Sequence, residues 1–360
     1  MKSTDGKSQP RAKSAKSSEK KTRRVTLKDV ANFVGVSIPT VSKVLNKSQE
    51  VNDETRERVT QALETLGYYR RVNTAATRTG LLEFVITELD TAWATTLLQG
   101  ADAEANKNGY SLILTVTHDR DDKQRDWIKS LSERATDGIV LVVTSPKQLP
   151  KNWSKSLSTP VVIIDEMGAY DNDTPSVGAT NWIGGFTATK HLIDLGHKRI
   201  GMVTCPQVSR LNEERFAGYR EALNKAGIDF DPTIVSEEEN SPSGGQKGAR
   251  KLLKAKNAPT AIFAGSDEQA FGVYEEAFIN EIRIPQDLSV VGFDDVHTSQ
   301  WTTPPLTTVQ NPIHQMAVIA VRTVLELRVG KSDVSSRVEL STKLVIRSST
   351  SAPKAARSKK

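Results

Sequence analysis

A single cysteine, Cys205, stands in a chain of 360 residues, so no intrachain disulfide framework is available and a reducing compartment is expected. Long apolar runs are missing as well. The stretches "GIVLVVT" and "PVVIID" have the length of buried strands and fall short of the about 18 residues that a membrane span needs. The first 24 residues lack the apolar central segment of a secretory signal, which points to a cytoplasmic location. The five histidines are scattered, with no HExxH and no short Cys/His cluster, so no metal site is expected. The segment "SPSGGQKGARK" lacks the order of a phosphate loop, and its Gly-Gly reads as the start of a helix. No G-x-S-x-G nucleophile elbow occurs. Asp294 and Asp295 look like a catalytic pair, but neighbours at a strand end point opposite ways. These absences leave little for an enzyme to work with, and no cofactor is implied.

What the chain does have is an uneven distribution of charge. The net charge is +6, yet residues 1–80 carry 17 Lys and Arg against 8 Asp and Glu, while the remaining 280 residues carry 32 against 35. A basic head on a mildly acidic body suggests a polyanionic partner for the head alone. Residues 1–24 and 351–360 have almost no apolar side chains and read as disordered tails.

Between residues 25 and 67 the caps define three short helices. In "VTLKDVANFVG", Thr26 is a natural N-cap with Asp29 three residues on, Val25 and Val30 have the spacing of a hydrophobic staple, and Gly35 supplies a left-handed stop. The next helix repeats the device: Ser37 caps while Val36 and Val41 staple. Pro39 then falls at the second helical position, where its missing N–H has no intrahelical partner anyway. A third helix runs from Asn52, with Val59, Ala62, Leu63 and Leu66 on one face and Gly67 as its stop. Two short helices joined across Gly35 and Val36 form a helix-turn-helix pattern. The residues of its second helix not needed for the core are Ile38, Pro39, Ser42, Lys43 and Asn46, which such a helix turns toward a DNA major groove.

The run "VTLKDVANFVGVSIPTVSKVLNKSQEVNDETRERVTQALETLGY" resembles, almost position for position, the headpiece of the lactose/galactose repressor (LacI/GalR) family of bacterial transcription regulators. The resemblance extends to about residue 350. It implies a DNA-contacting set of Thr26, Leu27, Lys28, Ser37, Ile38, Pro39, Thr40, Ser42, Lys43, Asn46, Asn52, Thr55, Arg71 and Thr77. Two departures stand out. Lys43 occupies a position where the family usually has a guanine-reading arginine, and lysine lacks the planar fork. In "YYRRVNTAATRTG", a hinge over residues 68–80, Arg70 replaces a proline and Thr77 replaces the leucine that wedges into the minor groove. Threonine is a poor apolar wedge.

From Leu82 onward strand and helix patterns alternate, as in a parallel sheet covered on both faces. Two series of about 100 residues predict two Rossmann-like lobes with a cleft at the carboxyl ends of their strands. The segments "HLIDLGHKRIG", "RFAGYREAL", "GSDEQAFGV", "VVGFDD" and "PPLTTV" are similar to the family's effector domain, itself of the type I periplasmic-binding-protein kind. The expected fold is thus an all-α helix-turn-helix headpiece at 25–67 and an α/β effector-binding and dimerisation domain at 81–350. Lobe one takes about 81–181 and 310–335, and lobe two about 182–306 and 336–350.

The resemblance implies that Asp165, Arg215 and Asp294 bind an effector, and each falls at a strand end or near a helix start. Carboxylates and a guanidinium suit sugar hydroxyls, which both donate and accept. Trp93 and Trp182 are candidates to cover the apolar face of a pyranose. Ser266 lies in another cleft region, and Asp267 beside it reads equally as the cap of the following helix.

The expected protein is a cytoplasmic, nucleoid-associated repressor of carbohydrate-utilisation genes. It would act as a homodimer on a pseudo-palindromic double-stranded operator, with a sugar or oligosaccharide as effector and no membrane partner. A solute receptor of the same fold is the alternative, though it would not need the helices at 25–67, and a nucleotide-dependent α/β enzyme is weaker still. If DNA binding resides in the basic head, a fragment of residues 81–360 should fold yet lose operator binding. The intact chain should lose affinity steeply with added salt, measured by fluorescence anisotropy on a labelled duplex. Specific binding by the fragment would contradict this.

Overall fold

The computed structural model describes residues 26–45, 50–66, 78–118, 133–142, 159–164, 174–206, 210–331 and 333–354, with a few single positions between 128 and 157. It divides into two units, residues 1–70 and 71–360, each taken here by itself.

The first unit holds α1 (Leu27–Val34), α2 (Ile38–Leu45) and α3 (Asp53–Leu66). The caps act as their chemistry dictates. Asp29 N–H donates to Thr26 Oγ1 at 3.3 Å and Thr26 N–H returns to Asp29 Oδ2 at 2.7 Å, a reciprocal capping box. Gly35, at φ 76°, closes α1 by donating to the Ala31 carbonyl. Ser37 Oγ accepts from Thr40 N–H and Asn52 Oδ1 from Thr55 N–H, so α2 and α3 begin where expected and Pro39 sits in the first turn of α2. Such caps are worth about 1 kcal/mol each. The core they enclose is small and β-branched: Val30, Ala31, Val41, Val44, Val51, Val59 and Ala62. Val36 packs against it beside buried Val41, as the staple requires. Val25, Gly67 and the hinge residues Arg70, Arg71 and Thr77 lie outside the described residues, as does Asn46.

The second unit is built on two six-stranded sheets. The first contains β1 (Leu81–Ile86), β2 (Ser111–Val116), β3 (Gly138–Val142), β4 (Val161–Ile164), β5 (Ser176–Ala179) and a late strand, Arg337–Leu340, in the order late strand, β5, β4, β3, β1, β2. All its pairings are parallel. The helix α4 (Ala92–Lys107) covers one face. Strands β3, β4 and β5 are buried along their whole length, as strands covered on both faces must be.

The second sheet begins after α5 (Asn181–Asp194) with β6 (Ile200–Thr204), followed by α6 (Arg210–Lys225), β7 (Val235–Glu237), α7 (Pro242–Leu253), β8 (Ala261–Ala264), α8 (Asp267–Ile279), β9 (Ser289–Asp294) and β10 (Thr307–Gln310). Then α9 (Ile313–Arg328) returns to pack beside α4 on the first sheet, β11 is the late strand Arg337–Leu340, and β12 (Lys343–Val345) pairs antiparallel with β10. The Gly-Gly of "SPSGGQKGARK" does lie in the opening of a helix, α7, capped by Ser241.

Among the described residues the chain passes between the sheets three times, at Thr180, at 311–312 and at 341–342. Two expected boundaries therefore move. Residues 337–340 join the first lobe, not the second, because β11 pairs with β5. Residues 307–310 join the second lobe, because β10 pairs with β9. The tail also begins later than expected: Ser351 N–H donates to Ser289 Oγ and its carbonyl accepts from His197 Nε2, which holds 351–354 against the second lobe.

His197 is buried at this junction, bridging Thr260 Oγ1, Ser289 Oγ and the Ser351 carbonyl. Burial holds its pKa below the usual 6.5. The unfolded chain then takes up a proton before the folded one does, so the contribution of His197 to stability is present above about pH 6.5 and fades as pH falls below it. Glu238, held down to about 2 by Lys251, Lys247 and Ser236 against its burial, fades only well below that window. The stability gap between wild type and His197→Gln, read from thermal midpoints, should therefore narrow between about pH 7 and pH 5. A gap independent of pH would show that His197 is not the titrating group.

Candidate functional site

In the first unit, the surface of α2 carries Ser37, Ile38, Pro39 and Lys43 exposed, with Thr40 and Ser42 half-buried. Thr26, Lys28 and Asn52 are exposed, Thr55 is half-buried, and Leu27 packs against the small core. Thr26, Ser37 and Asn52 serve as helix caps, so their side chains are partly committed to backbone N–H groups. Lys43 Nζ lies 2.6 Å from Glu50 Oε2, both side chains remaining solvent-exposed.

In the second unit the start of α5 and the carboxyl ends of β8 and β9 converge on one buried cation. Arg215 donates from Nε to Asn181 Oδ1 at 2.9 Å, from one terminal nitrogen to the Gly265 carbonyl at 2.7 Å, and from the other to Asp294 Oδ1 at 3.2 Å. Its guanidinium lies 3.7 Å from the ring centroid of Phe293. Arg215 and Asp294 are 4% and 7% exposed, so this is an ion pair removed from bulk water. Burial raises the pKa of Asp294, and Arg215 and Asn311 oppose the rise.

The local folding that brings these groups together is specific. Asn181 opens α5 and is itself oriented by donating to the Ala179 carbonyl. The axes of α5 and α6 approach closely because Gly185 faces the Arg215 carbonyl, where a Cβ would sit at 2.2 Å. Gly218 plays the same part against the Trp182 carbonyl, also at 2.2 Å. At the end of β9, Asp294 and Asp295 both have positive φ, 107° and 52°. Two adjacent non-glycine residues in that region cost on the order of 1–3 kcal/mol each. The twist sends the two carboxylates apart, Asp294 to Arg215 and Asp295 to Arg347 at 2.5 Å.

The second crossover enters the same cluster. Asn311 donates to Asp294 Oδ1 at 3.2 Å, and its own Oδ1 is buried without a partner. Such an orphaned acceptor is costly unless a donor reaches it. Sequence reasoning missed Asn181 and Asn311; their signal was an asparagine at a helix start in "GATNWIGG" and another before proline in "VQNPI".

The other candidates fall out differently. Asp165 lies outside the described residues. Ser266 is the N-cap of α8: it accepts from Gln269 N–H and donates to Asn240 Oδ1 at 2.5 Å, which uses its donor and leaves one acceptor lone pair. Asp267 is turned inward as a fully buried hub, accepting from Val296 N–H, Ser299 Oγ and Thr308 Oγ1. Burial, with Asp294 nearby, pushes it up to about 8 against those donors. Trp93 is partly buried against the first-lobe core. The ring of Trp182 stacks on Phe186 of its own helix at 5.4 Å. Contacts also join the lobes: Glu268 on α8 and Ala92 at the start of α4 line one cavity, and Leu211 on α6 packs against the first-sheet core. Phe271, Tyr274, Trp301 and Thr302 also line this cavity of about 540 Å³.

A helix-turn-helix unit followed by two α/β lobes with a buried polar cluster at their strand ends defines a DNA-binding protein with a periplasmic-binding-protein-like domain. The pattern of the bacterial regulatory proteins of the lacI family matches residues 26–71, and that of the periplasmic binding protein-like domain matches residues 189–350. The chain is 31% identical over 331 residues to the HTH-type transcriptional repressor PurR of Mannheimia succiniciproducens, covering 90% of this chain and 98% of that one. It is 29% identical to the ribose operon repressor of Escherichia coli, covering 90% and 99%. Among solved structures, a transcriptional regulator CelR–cellobiose complex matches with a TM-score of 0.72 at 29% identity, over 91% of this chain and all of that one. A lac repressor dimer bound to operator and the anti-inducer ONPF matches with a TM-score of 0.67 at 26% identity, over 92% and 100%. The chain belongs to the lacI family of bacterial regulatory proteins. It is a DNA-binding transcriptional repressor and not an enzyme.

Proposed function

We propose that this repressor controls carbohydrate-utilisation genes and that a sugar or short oligosaccharide binds between the lobes at Arg215 and Asp294, with Asp165 from the first lobe. The supporting observation is the buried cluster itself. Arg215 has five N–H donors and three are used by Asn181, Gly265 and Asp294, while the carboxylate and the orphaned Asn311 oxygen supply acceptors. A ligand rich in hydroxyls satisfies both kinds of group at once. The cellobiose complex of one similar regulator and the ribose operon repressor agree with a sugar. Trp93 and Trp182 remain candidates to flank it, Trp93 from the start of α4 and Trp182 from the start of α5.

The regulator acts in the cytoplasm, at the nucleoid, as a homodimer on a two-fold operator, since one small headpiece reads only a half-site. Support for the dimer comes from α8, where Phe271, Tyr274 and Phe278 share a face by their spacing. Phe278 is 84% exposed, and Trp301, which lines the same cavity as Phe271 and Tyr274, is 70% exposed. In the headpiece, the α2 surface with Thr26, Leu27, Lys28, Asn46, Asn52 and Thr55 contacts the operator, together with Arg71 and Thr77.

Isothermal calorimetry against a panel of mono- and disaccharides tests the effector assignment. Arg215→Ala would strand Asp294 as a buried unpaired charge, a loss of about 3–5 kcal/mol in stability, so the variants are Arg215→Lys, which keeps the charge, and Asp294→Asn, whose folding is checked by thermal melting because it leaves Arg215 without its counter-charge. Each should weaken sugar binding at least about tenfold, as loss of a charge-assisted hydrogen bond does. Unchanged sugar affinity in both variants would remove the pair from the site, and binding of a purine or amino acid in place of any sugar would overturn the sugar assignment.

A further inference from the structure

We infer that Glu50 is a specificity-determining residue of the headpiece, which together with Lys43 presents a donor–acceptor couple complementary to one G·C base pair in the major groove. The inference rests on the reading of Lys43 as a base-contacting residue, and it adds a partner that the helix-turn-helix pattern does not predict.

The geometry is the starting point. Lys43 lies in the last turn of α2, and Glu50 just ahead of α3 brings Oε2 to 2.6 Å from Lys43 Nζ. The lysine is 51% exposed and the glutamate 69%, so both heads face outward together. An exposed pair of this kind contributes little to the stability of the folded headpiece. Its effect on stability is small, which directs attention to its effect on what the surface recognises.

An ammonium is a point charge with three donors and no preferred plane, so a lone lysine discriminates among major-groove acceptors less well than a guanidinium. Glu50 takes one of those donors and so fixes the side of Nζ on which the remaining two lie. The two heads then form an ordered pair, donor beside acceptor. In a G·C pair, guanine O6 accepts and cytosine N4 donates, and the two atoms lie about 3 Å apart because they bond each other. Nζ over O6 and N7 with Oε over N4 matches that order and that spacing. An A·T pair offers the reverse order, N6 donating where O6 would accept, and a C·G pair offers it from the other strand. Each puts Nζ against an amino group and the carboxylate against a carbonyl, whereas a T·A pair keeps the order through O4 and N6 and is told apart by the thymine methyl, which stands where guanine N7 would meet Nζ.

The carboxylate also acts by penalty. Beside a polyanion, Glu50 weakens binding to any sequence that gives it no donor, and specificity is a difference between such affinities. Lys43 holds the Glu50 carboxylate below its usual pKa range, so it remains an ionised acceptor near neutral pH.

The test uses the full-length chain, with its preferred half-site defined first by selection from random duplexes. Affinities are then measured on duplexes permuted to all four base pairs at each position, for wild type, Glu50→Gln and Lys43→Ala. Wild type should favour one orientation of G·C at one position. Glu50→Gln should lower that preference about tenfold while raising affinity for unrelated duplex. An affinity gain equal on every sequence, or an unchanged preference at that position, overturns the inference. Lys43→Ala separates the two levels: if it weakens all sequences equally, the base-contact reading of Lys43 has failed. If it relaxes one base pair while Glu50→Gln does not, only the role of Glu50 has failed.

Discussion

The buried pair of Arg215 and Asp294 is the constraint around which the second unit is arranged. Removing two charges from water costs several kcal/mol per ion, and their mutual attraction offsets this only when the remaining hydrogen-bonding capacity is met. Here Asn181, the Gly265 carbonyl and Asn311 meet much of it, and Phe293 backs the guanidinium. Each partner imposes a demand elsewhere. The approach of α5 to α6 needs glycine at 185 and 218, and the reach of Asp294 needs positive φ at the end of β9. Buried ion pairs are often no more stabilising than a hydrophobic cluster of similar volume, so the pair is weak evidence for a purely structural role.

The same residues sit at the passages between the lobes. Asn181 follows the first crossover and Asn311 lies in the second. The third is tied to the first by a hydroxyl clasp: Thr342 N–H donates to Thr180 Oγ1 at 3.0 Å and Thr342 Oγ1 to the Thr180 carbonyl at 3.2 Å. In the proposed reading, a ligand that engages Arg215 and Asp294 therefore touches groups bonded directly to the crossovers between the lobes. It can shift the lobes only by the difference in its affinity for their arrangements, and operator binding responds through the same difference.

Much of this was legible in the sequence because it is local. Thr26, Gly35, Ser37 and Asn52 announce the headpiece helices by capping chemistry, and the alternation of buried-strand runs with helical stripes announces two parallel sheets. The exchange of β11 into the first sheet was not legible. Only Ser341 and Thr342 separate β11 from β12, both are short edge strands without a continuous apolar run, and nothing local says which sheet each will extend. At the site, Arg215 and Asp294 were named through the family resemblance, and their places near a helix start and at a strand end agreed with it. The commitment of Ser266 to capping and Asn240, and the inward turn of Asp267, depend on which neighbours tertiary packing supplies. The same holds for Glu50, an unremarked loop acid until its distance to Lys43 is known.

In the proposed reading, ligand binding at the Arg215–Asp294 cluster and operator binding are two faces of one equilibrium. The most direct measurement is a closed linkage cycle on the full-length repressor: operator affinity with and without saturating sugar, and sugar affinity with and without saturating operator. The account predicts that the sugar changes operator affinity, and that operator changes sugar affinity by the same factor. Operator affinity unaffected by a sugar that demonstrably occupies the cluster would contradict it.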